Sequence, residues 1–368
     1  MIFASDNWAG VAPAILNAIA READRYGNAY GESPIDKAVE ARFSEIFERE
    51  VAVFFLGTGS AANALALASV NKPGGAVFCH RDSHIVEDEC GGVEYLTGGA
   101  RLIGVDGAAG KIDPKRLRAA IARFAPGFVH SGQPMAVSLT QMSEAGTVYS
   151  LEEIRTLTAV ARERELPVHM DGARFANALV ALNVSPAEMT WKSGVDVLSF
   201  GGTKNGCMGA EALVFFDPAM ARDAPFLRKR AGQLFSKSRF IAAQFDAYLK
   251  DGLWLELARH GNAMAERLRA ELTAMAAARL AWPTQGNEVF AVLREDDAAR
   301  LRQSGAVFYD WAEPQGAELK LHDTESLVRL VTSFATRADD VERFLADLRS
   351  AEAPESLSAP VRPGRVRD

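Results

Sequence analysis

A lysine, Lys204, stands at the centre of "SFGGTKNG", residues 199 to 206, directly after the apolar run "VDVLSF". An amine held among glycines at the mouth of a buried strand is suited to covalent chemistry with an aldehyde. Three further segments carry complementary groups. In "FFLGTGSAAN", 54–63, Gly57, Thr58, Gly59 and Ser60 lie between a strand-like and a helix-like run. Free amides at a helix start, with the dipole behind them, hold a phosphate, and the Thr58 and Ser60 hydroxyls add donors. "HRDSHIVEDECGG", 80–92, sets His80 and His84 among carboxylates. "VHMDGAR", 168–174, ends a strand on Asp171, followed by Gly172 and Arg174; such a carboxylate can pair with a cationic ring nitrogen.

Each segment also has a plainer reading. Ser60 could be the N-cap of a glycine-rich turn, His84 a solvated loop histidine, Asp171 a turn residue paired with Arg174, and Lys204 an ordinary loop lysine. No spacing typical of a zinc motif follows the histidines. Taken together, the four segments form a complete set for pyridoxal 5'-phosphate. Lys204 forms the Schiff base, Asp171 pairs with the pyridine nitrogen, His84 faces the ring, and Thr58, Gly59 and Ser60 hold the phosphate. The 33 residues between Asp171 and Lys204 leave room for one helix and one strand.

Positioning these groups requires an α/β fold. Strand-like runs at 51–57, 75–80, 100–105, 166–172 and 195–202 alternate with helical patterns. Ser150 with Glu153 forms a capping box ahead of a helix reaching to about 165. Near-continuous apolar strands predict a mainly parallel sheet covered on both faces, with ligands at the carboxyl ends of its strands. From about residue 238 the pattern becomes two long helices, the second running through "AARL", then "NEVFAVL", "GAVFYDW" and "SLVRLVTSF" as strands and a closing helix. We expect a large cofactor-binding domain over 1–240, a small α+β domain over 241–350, and a disordered Pro-, Ser- and charge-rich tail over 351–368.

The chain has 368 residues, 48% of them hydrophobic and 24% charged, with a net charge of −7. That balance argues against nucleic acid or anionic membranes as partners. Cys79, Cys90 and Cys207 are sparse and unpaired in spacing, as in reduced cytosolic proteins. The start lacks a signal-peptide pattern, and no apolar stretch is long enough to span a membrane, so a cytoplasmic location is expected.

"SDNWAG", "SHIVEDECGG", "HMDGAR" and "SFGGTKNG" resemble the L-threonine aldolases, specifically the bacterial low-specificity and phenylserine aldolase branch. The resemblance extends to about residue 350. It implies the aspartate-aminotransferase fold type (fold type I), pyridoxal phosphate, and a homodimer or homotetramer with shared active sites. By the same resemblance, Lys204, His84 and Asp171 are catalytic. Arg174 lies near the substrate carboxylate or the cofactor's 3-oxygen. Ser5 and Arg329 contact that carboxylate, while Arg239 reaches the cofactor phosphate and Tyr30 the substrate, both across the subunit boundary. Many relatives carry a second histidine after the fifth strand, where this chain reads "SLTQMSEAGTVY", 138–149; Glu144 stands in its place. The implied reaction is retro-aldol cleavage of L-threonine, L-allo-threonine or L-phenylserine to glycine and an aldehyde, and its reverse. The alternative is another reaction of the same fold type, transamination or β-elimination.

Overall fold

The apolar run before Lys204 becomes the strand Val197–Gly201, every residue of it buried. In the computed structural model, residues 1–314 and 319–350 are described, and the expected tail 351–368 lies outside them. Eleven strands are ordered along the described chain: β1 Ala52–Leu56, β2 Gly75–His80, β3 Arg101–Val105, β4 Gln133–Thr140, β5 Val168–Gly172, β6 Val197–Gly201, β7 Glu211–Phe215, β8 Ala278–Leu280, β9 Glu288–Arg294, β10 Tyr309–Asp310 and β11 Glu325–Val331.

The first seven form one sheet in the order β1-β7-β6-β5-β4-β2-β3. The sequence reading had not listed β4 or β7. β2 through β6 pair in parallel, whereas β7 is antiparallel to both β6 and β1. Only β7 is therefore reversed, and its first residue, Glu211, falls beside Gly201 at the end of β6 and Leu56 at the end of β1. A residue at the start of a reversed strand thus joins the edge where ligands bind. β2, β5, β6 and β7 are buried along their whole length, which explains their continuous apolar sequence. The segment carrying Glu144 follows β4, the fourth strand along the chain, not a fifth.

The remaining strands form a four-stranded sheet, β10-β11-β9-β8, all antiparallel. "AARL" was expected to continue a long helix. That helix stops at Thr273, and Ala278–Leu280 pairs with β9 instead. Tertiary pairing here overrides the helix preference of alanine. "GAVFYDW" contributes only Tyr309–Asp310 to strand, while Val307 bridges to Ile2.

Two cores share the helix Leu253–Thr273. Trp254 and Ala258 pack with Phe200, Phe245 and Tyr248 under the large sheet. Ala265, Leu268 and Leu272 pack with Val289, Leu330 and Phe344 of the small one. The expected division at 240/241 precedes that handover, since Ile241, Phe245 and Tyr248 belong to the large core. At the other end of the chain, Phe3 is buried in the small core. Its amide donates to Val307 O at 2.8 Å, and its carbonyl accepts from Val331 N at 2.8 Å. This anchor delivers residues 5–7 to the junction of the two sheets.

Candidate active site

Two glycines precede Lys204 because the chain has no room for side chains there. A Cβ on Gly201 would lie 2.5 Å from Ala173 O, and one on Gly202 would lie 2.7 Å from Ala210 O. Lys204 then sits in a short turn, Thr203–Asn205, closed by Gly206 at φ +116°. Asn205 Nδ2 donates to Tyr248 Oη at 2.7 Å and to Trp254 O at 2.8 Å, and Ala210 N donates to Thr203 Oγ1 at 3.2 Å. The neighbours are fixed, so the lysine's own stem is free to project. Thr58, Gly59, Ser60, His84, Glu144, Asp171 and Lys204 line one cavity of about 250 Å³.

Asp171, at the end of β5, is 4% exposed. Its Oδ1 accepts from Ala173 N at 3.0 Å, a local turn contact, and Oδ2 accepts from Asn63 Nδ2 at 2.8 Å. It does not pair with Arg174. Asn63 also donates to Glu89 Oε1 at 2.8 Å, and His84 Nδ1 donates to the same oxygen at 2.9 Å. A continuous network thus joins Asp171 to His84. The Glu89 hydrogen bond, with help from Glu144 and Asp171, raises the His84 pKa above its ordinary value despite desolvation and Lys204. His84 begins a short helix, His84–Glu87, and is not in a loop. Its Nδ1 is committed to Glu89, which leaves Nε2 for the cavity. His80 is different: it accepts from Asp82 N at 3.1 Å and donates to Gly107 O at 3.3 Å, a structural role behind the site.

The helix Gly59–Ala68 points its amino end into the cavity. Its N-cap is Thr58, whose hydroxyl accepts from Ala61 N, so Ser60 is not the cap. The amides of Thr58, Gly59 and Ser60 donate to no described acceptor. Glu211 closes this end. Its Oε1 accepts from Thr203 N at 3.4 Å, and Oε2 lies 4.0 Å from where a Gly59 Cβ would stand. Burial, opposed by Thr203 and Lys204, pushes its carboxyl up to about 7.

That shift carries a stability consequence. The folded chain holds the Glu211 proton more tightly than the unfolded chain, so stability falls as pH rises from the unfolded value through about 7 and then levels off. The loss between pH 5 and 8 is on the order of 2 to 3 kcal/mol. Glu211→Gln should remove that part of the slope, seen as a melting midpoint that declines less over the same range. Parallel declines in both proteins would contradict the assignment.

The arginines stand deeper, at the junction of the two sheets. Arg174 Nε donates to Asp6 Oδ2 at 2.7 Å and Nη2 to Asp6 Oδ1 at 3.1 Å, a bidentate pair buried on both sides. Arg174 Nη2 also lies 3.2 Å from Glu288 Oε1. Arg329 Nη1 is 3.7 Å from the same oxygen, and its guanidinium covers the Trp311 ring at 3.9 Å. Burial works against the Asp6 charge, but Arg174, Lys204 and Asn287 hold its carboxyl below the usual value.

Ser5, Tyr30, Arg174, Arg239 and Arg329 are not among the cavity's walls. Ser5 caps the turn Asp6–Trp8 by accepting from Asn7 N, and it is Asn7 that reaches the cavity. Tyr30 is half exposed under Lys229, and Arg239 Nε lies 3.1 Å from Glu22. The sequence reading missed Asp6, Asn63, Glu89, Glu211 and Glu288. Asp6, Asn63 and Glu89 lay inside quoted motifs, and the other two carried no local signal. A second cavity of about 300 Å³, walled by Ala145, Trp311 and Ala312, shares Glu144 with the first.

These groups fit pyridoxal phosphate on their own chemistry. Asp171 Oδ2 has acceptor capacity left for a pyridinium N–H, and the unpaired amides of 58–60 suit a phosphate. Lys204 makes no hydrogen bond or ion pair with any described residue and is free to bond an aldehyde. No group of described residues has the makings of a metal site. A seven-stranded sheet with one reversed strand, carrying this set at its carboxyl edge, defines a pyridoxal-phosphate enzyme of fold type I.

Comparison with known proteins narrows the class. The profile of the beta-eliminating lyases matches residues 3–296. The chain is 36% identical to the low specificity L-threonine aldolase of a Pseudomonas strain, over 95% of this chain and 97% of that relative. It is 38% identical to that of Pseudomonas aeruginosa, over 94% of this chain and 96% of that one. The solved threonine aldolase of Leishmania major superposes with a TM-score of 0.88 at 30% identity, covering 96% of this chain and 99% of that chain. The chain belongs to the beta-eliminating lyase family and, within it, to the low specificity L-threonine aldolases. It is a carbon–carbon lyase whose cofactor is pyridoxal 5'-phosphate. No described helix is long and apolar enough to cross a membrane.

Proposed function

We propose that the chain cleaves L-threonine, L-allo-threonine and L-phenylserine to glycine and the matching aldehyde, and runs the reverse aldol addition. The observation that carries this reading is the convergence of Lys204, Asp171, His84 and Glu144 on one cavity. Bound pyridoxal phosphate supplies the sink for the electron pair released when the Cα–Cβ bond breaks. Asp171 would keep the proton on the pyridine nitrogen, since a buried carboxylate held by Asn63 and Ala173 N stabilises an adjacent cation. Lys204, whose amine lines the cavity, would be the residue that holds the cofactor covalently.

Proton traffic at the β-hydroxyl divides between two residues. His84, biased toward imidazolium by Glu89, is a donor from Nε2 and orients the hydroxyl. Glu144 accepts the hydroxyl proton as the carbonyl of the leaving aldehyde forms. A proton then returns to Cα, and glycine leaves. The substituent on Cβ runs past Glu144 into the second cavity, where Trp311 and Ala145 offer a surface for a phenyl ring.

Arg329, with Arg174 behind it, holds the α-carboxylate. Arg329→Leu should raise KM by about 10- to 100-fold and leave kcat within a few fold, because this contact is the same in ground and transition states. An unchanged KM would remove the clamp. Ser5 keeps the adjoining turn in shape. The active unit is a homodimer or homotetramer, in which the exposed Tyr30 and the mostly buried Arg239 serve the neighbouring subunit's site and not their own.

Product analysis tests the whole reading. Holoenzyme given each substrate should release glycine with acetaldehyde or benzaldehyde in equal amounts. A keto acid in place of glycine would assign transamination or β-elimination instead.

A further inference from the structure

Glu288 opens β9 and is fully buried, with a side-chain exposure of 0%. Neither carboxylate oxygen has a hydrogen-bond partner, and Arg329 Nε is likewise buried and unpartnered. Yet Glu288 Oε1 stands 3.2 Å from Arg174 Nη2 and 3.7 Å from Arg329 Nη1. A buried carboxylate that touches two guanidinium groups without a good hydrogen bond to either is an unusual arrangement. Burying an acid normally exacts a full set of partners.

The charges around it explain what the arrangement can do. Asp6, on the N-terminal turn, already takes both arms of Arg174. Glu144, after β4, and Asp6 repel the Glu288 charge, while Arg174 and Arg329 favour it. Arg269, on the helix Leu253–Thr273, reaches only the Glu288 main-chain carbonyl, at 3.4 Å. Around Glu288 itself two guanidinium groups therefore face three carboxylates, while Lys204 acts on Asp6 alone of the three. A substrate α-carboxylate entering at Arg329 adds a fourth anion to a largely buried site. Asp6 is held by Arg174 and Asn287 and Glu144 is only partly buried, so the charge to be given up falls to Glu288, which is fully buried with neither carboxylate oxygen hydrogen-bonded. Burial has already pushed its carboxyl up to about 7, so the change costs little near neutral pH.

We propose that Glu288 is the displaceable counter-charge of the carboxylate site: it takes up one proton from solvent as the α-carboxylate binds, and so hands the two arginines to the substrate. Glu288 is on this view a positioning residue that acts through Arg329 and Arg174 and takes no part in bond cleavage. The inference rests on the proposed role of Arg329 as carboxylate clamp. It predicts that amino-acid affinity weakens as pH rises above about 7, up to tenfold per pH unit. The direction follows from the proton being a reactant in binding.

The test is calorimetric titration of holoenzyme with glycine at pH 8, in two buffers of different ionisation enthalpy, which counts protons exchanged per site. Wild type should take up about 0.5 to 1 proton more than Glu288→Gln. The variant should bind glycine more tightly at pH 8, with a flatter pH dependence of affinity. Glu288→Met, which fills the same space without an amide, serves if the glutamine variant does not fold. Equal proton counts in wild type and variant would overturn the proposal. Arg329→Leu separates the two readings. Unchanged glycine affinity in that variant would remove the clamp itself, whereas lost affinity together with equal proton counts would remove only the role of Glu288.

Discussion

Lys204→Ala should lower turnover by at least about four orders of magnitude and abolish the yellow colour of the lysine-bound cofactor. Among the described residues no other lysine lines the cavity, so none of them can take over the covalent role. The fold should not suffer. The turn is held by Asn205, Thr203 and the backbone freedom of Gly206, none of which depends on the lysine side chain. A stability change within about 1 kcal/mol is expected, as for a half-buried residue with no hydrogen bond or ion pair among the described residues. Steady-state assay, absorbance and thermal melting on one preparation would check all three. Near-normal turnover in a colourless, folded variant would remove Lys204 from the mechanism.

Asp171→Asn should have the next largest effect. The amide cannot carry the charge that keeps the pyridine nitrogen protonated, and loss of one such preorganised interaction costs about 10³-fold, or about 4 kcal/mol of barrier. The local turn contact survives, because the asparagine carbonyl can still accept from Ala173 N. The contact with Asn63 does not survive as it stands, since Asn63 Nδ2 now bonds both Asp171 and Glu89. If Asn63 turns its unpartnered Oδ1 toward the new amide, it gives up Glu89, and His84 loses part of its support. We therefore expect a moderate loss of stability, about 1 to 2 kcal/mol, with colour retained. A rate within tenfold of wild type would show that Asp171 does not hold the pyridinium.

The two predictions differ in what the surroundings do. Lys204 can be removed cleanly because its neighbours are tied to one another. Asp171 cannot, because it anchors one end of a network that reaches the histidine. The same contrast separates the part of this protein that could be read from sequence from the part that could not. "FGGTKNG" and "GTGSAAN" announce themselves through glycine and hydroxyl residues at strand ends, a local pattern fixed by backbone sterics and helix-start chemistry. Continuous apolar runs gave away a buried parallel sheet for the same reason, since burial on both faces leaves its mark on every residue.

The sequence by itself thus determined the cofactor chemistry and the edge of the sheet where it gathers. Tertiary structure alone decided the charge balance. Glu89, Glu211 and Glu288 look in sequence like any surface acid, and what distinguishes them is being buried beside groups as far along the chain as Arg174 and Arg329. Arg174 finds its partner in Asp6, 168 residues away, and not in the nearby Asp171. Reversal of β7 places Glu211 at the cofactor edge, and the anchoring of Phe3 in the small core brings Asp6 to the arginines. Ionisation depends on the local dielectric and on neighbours a few ångströms away, and neither exists until the chain has folded.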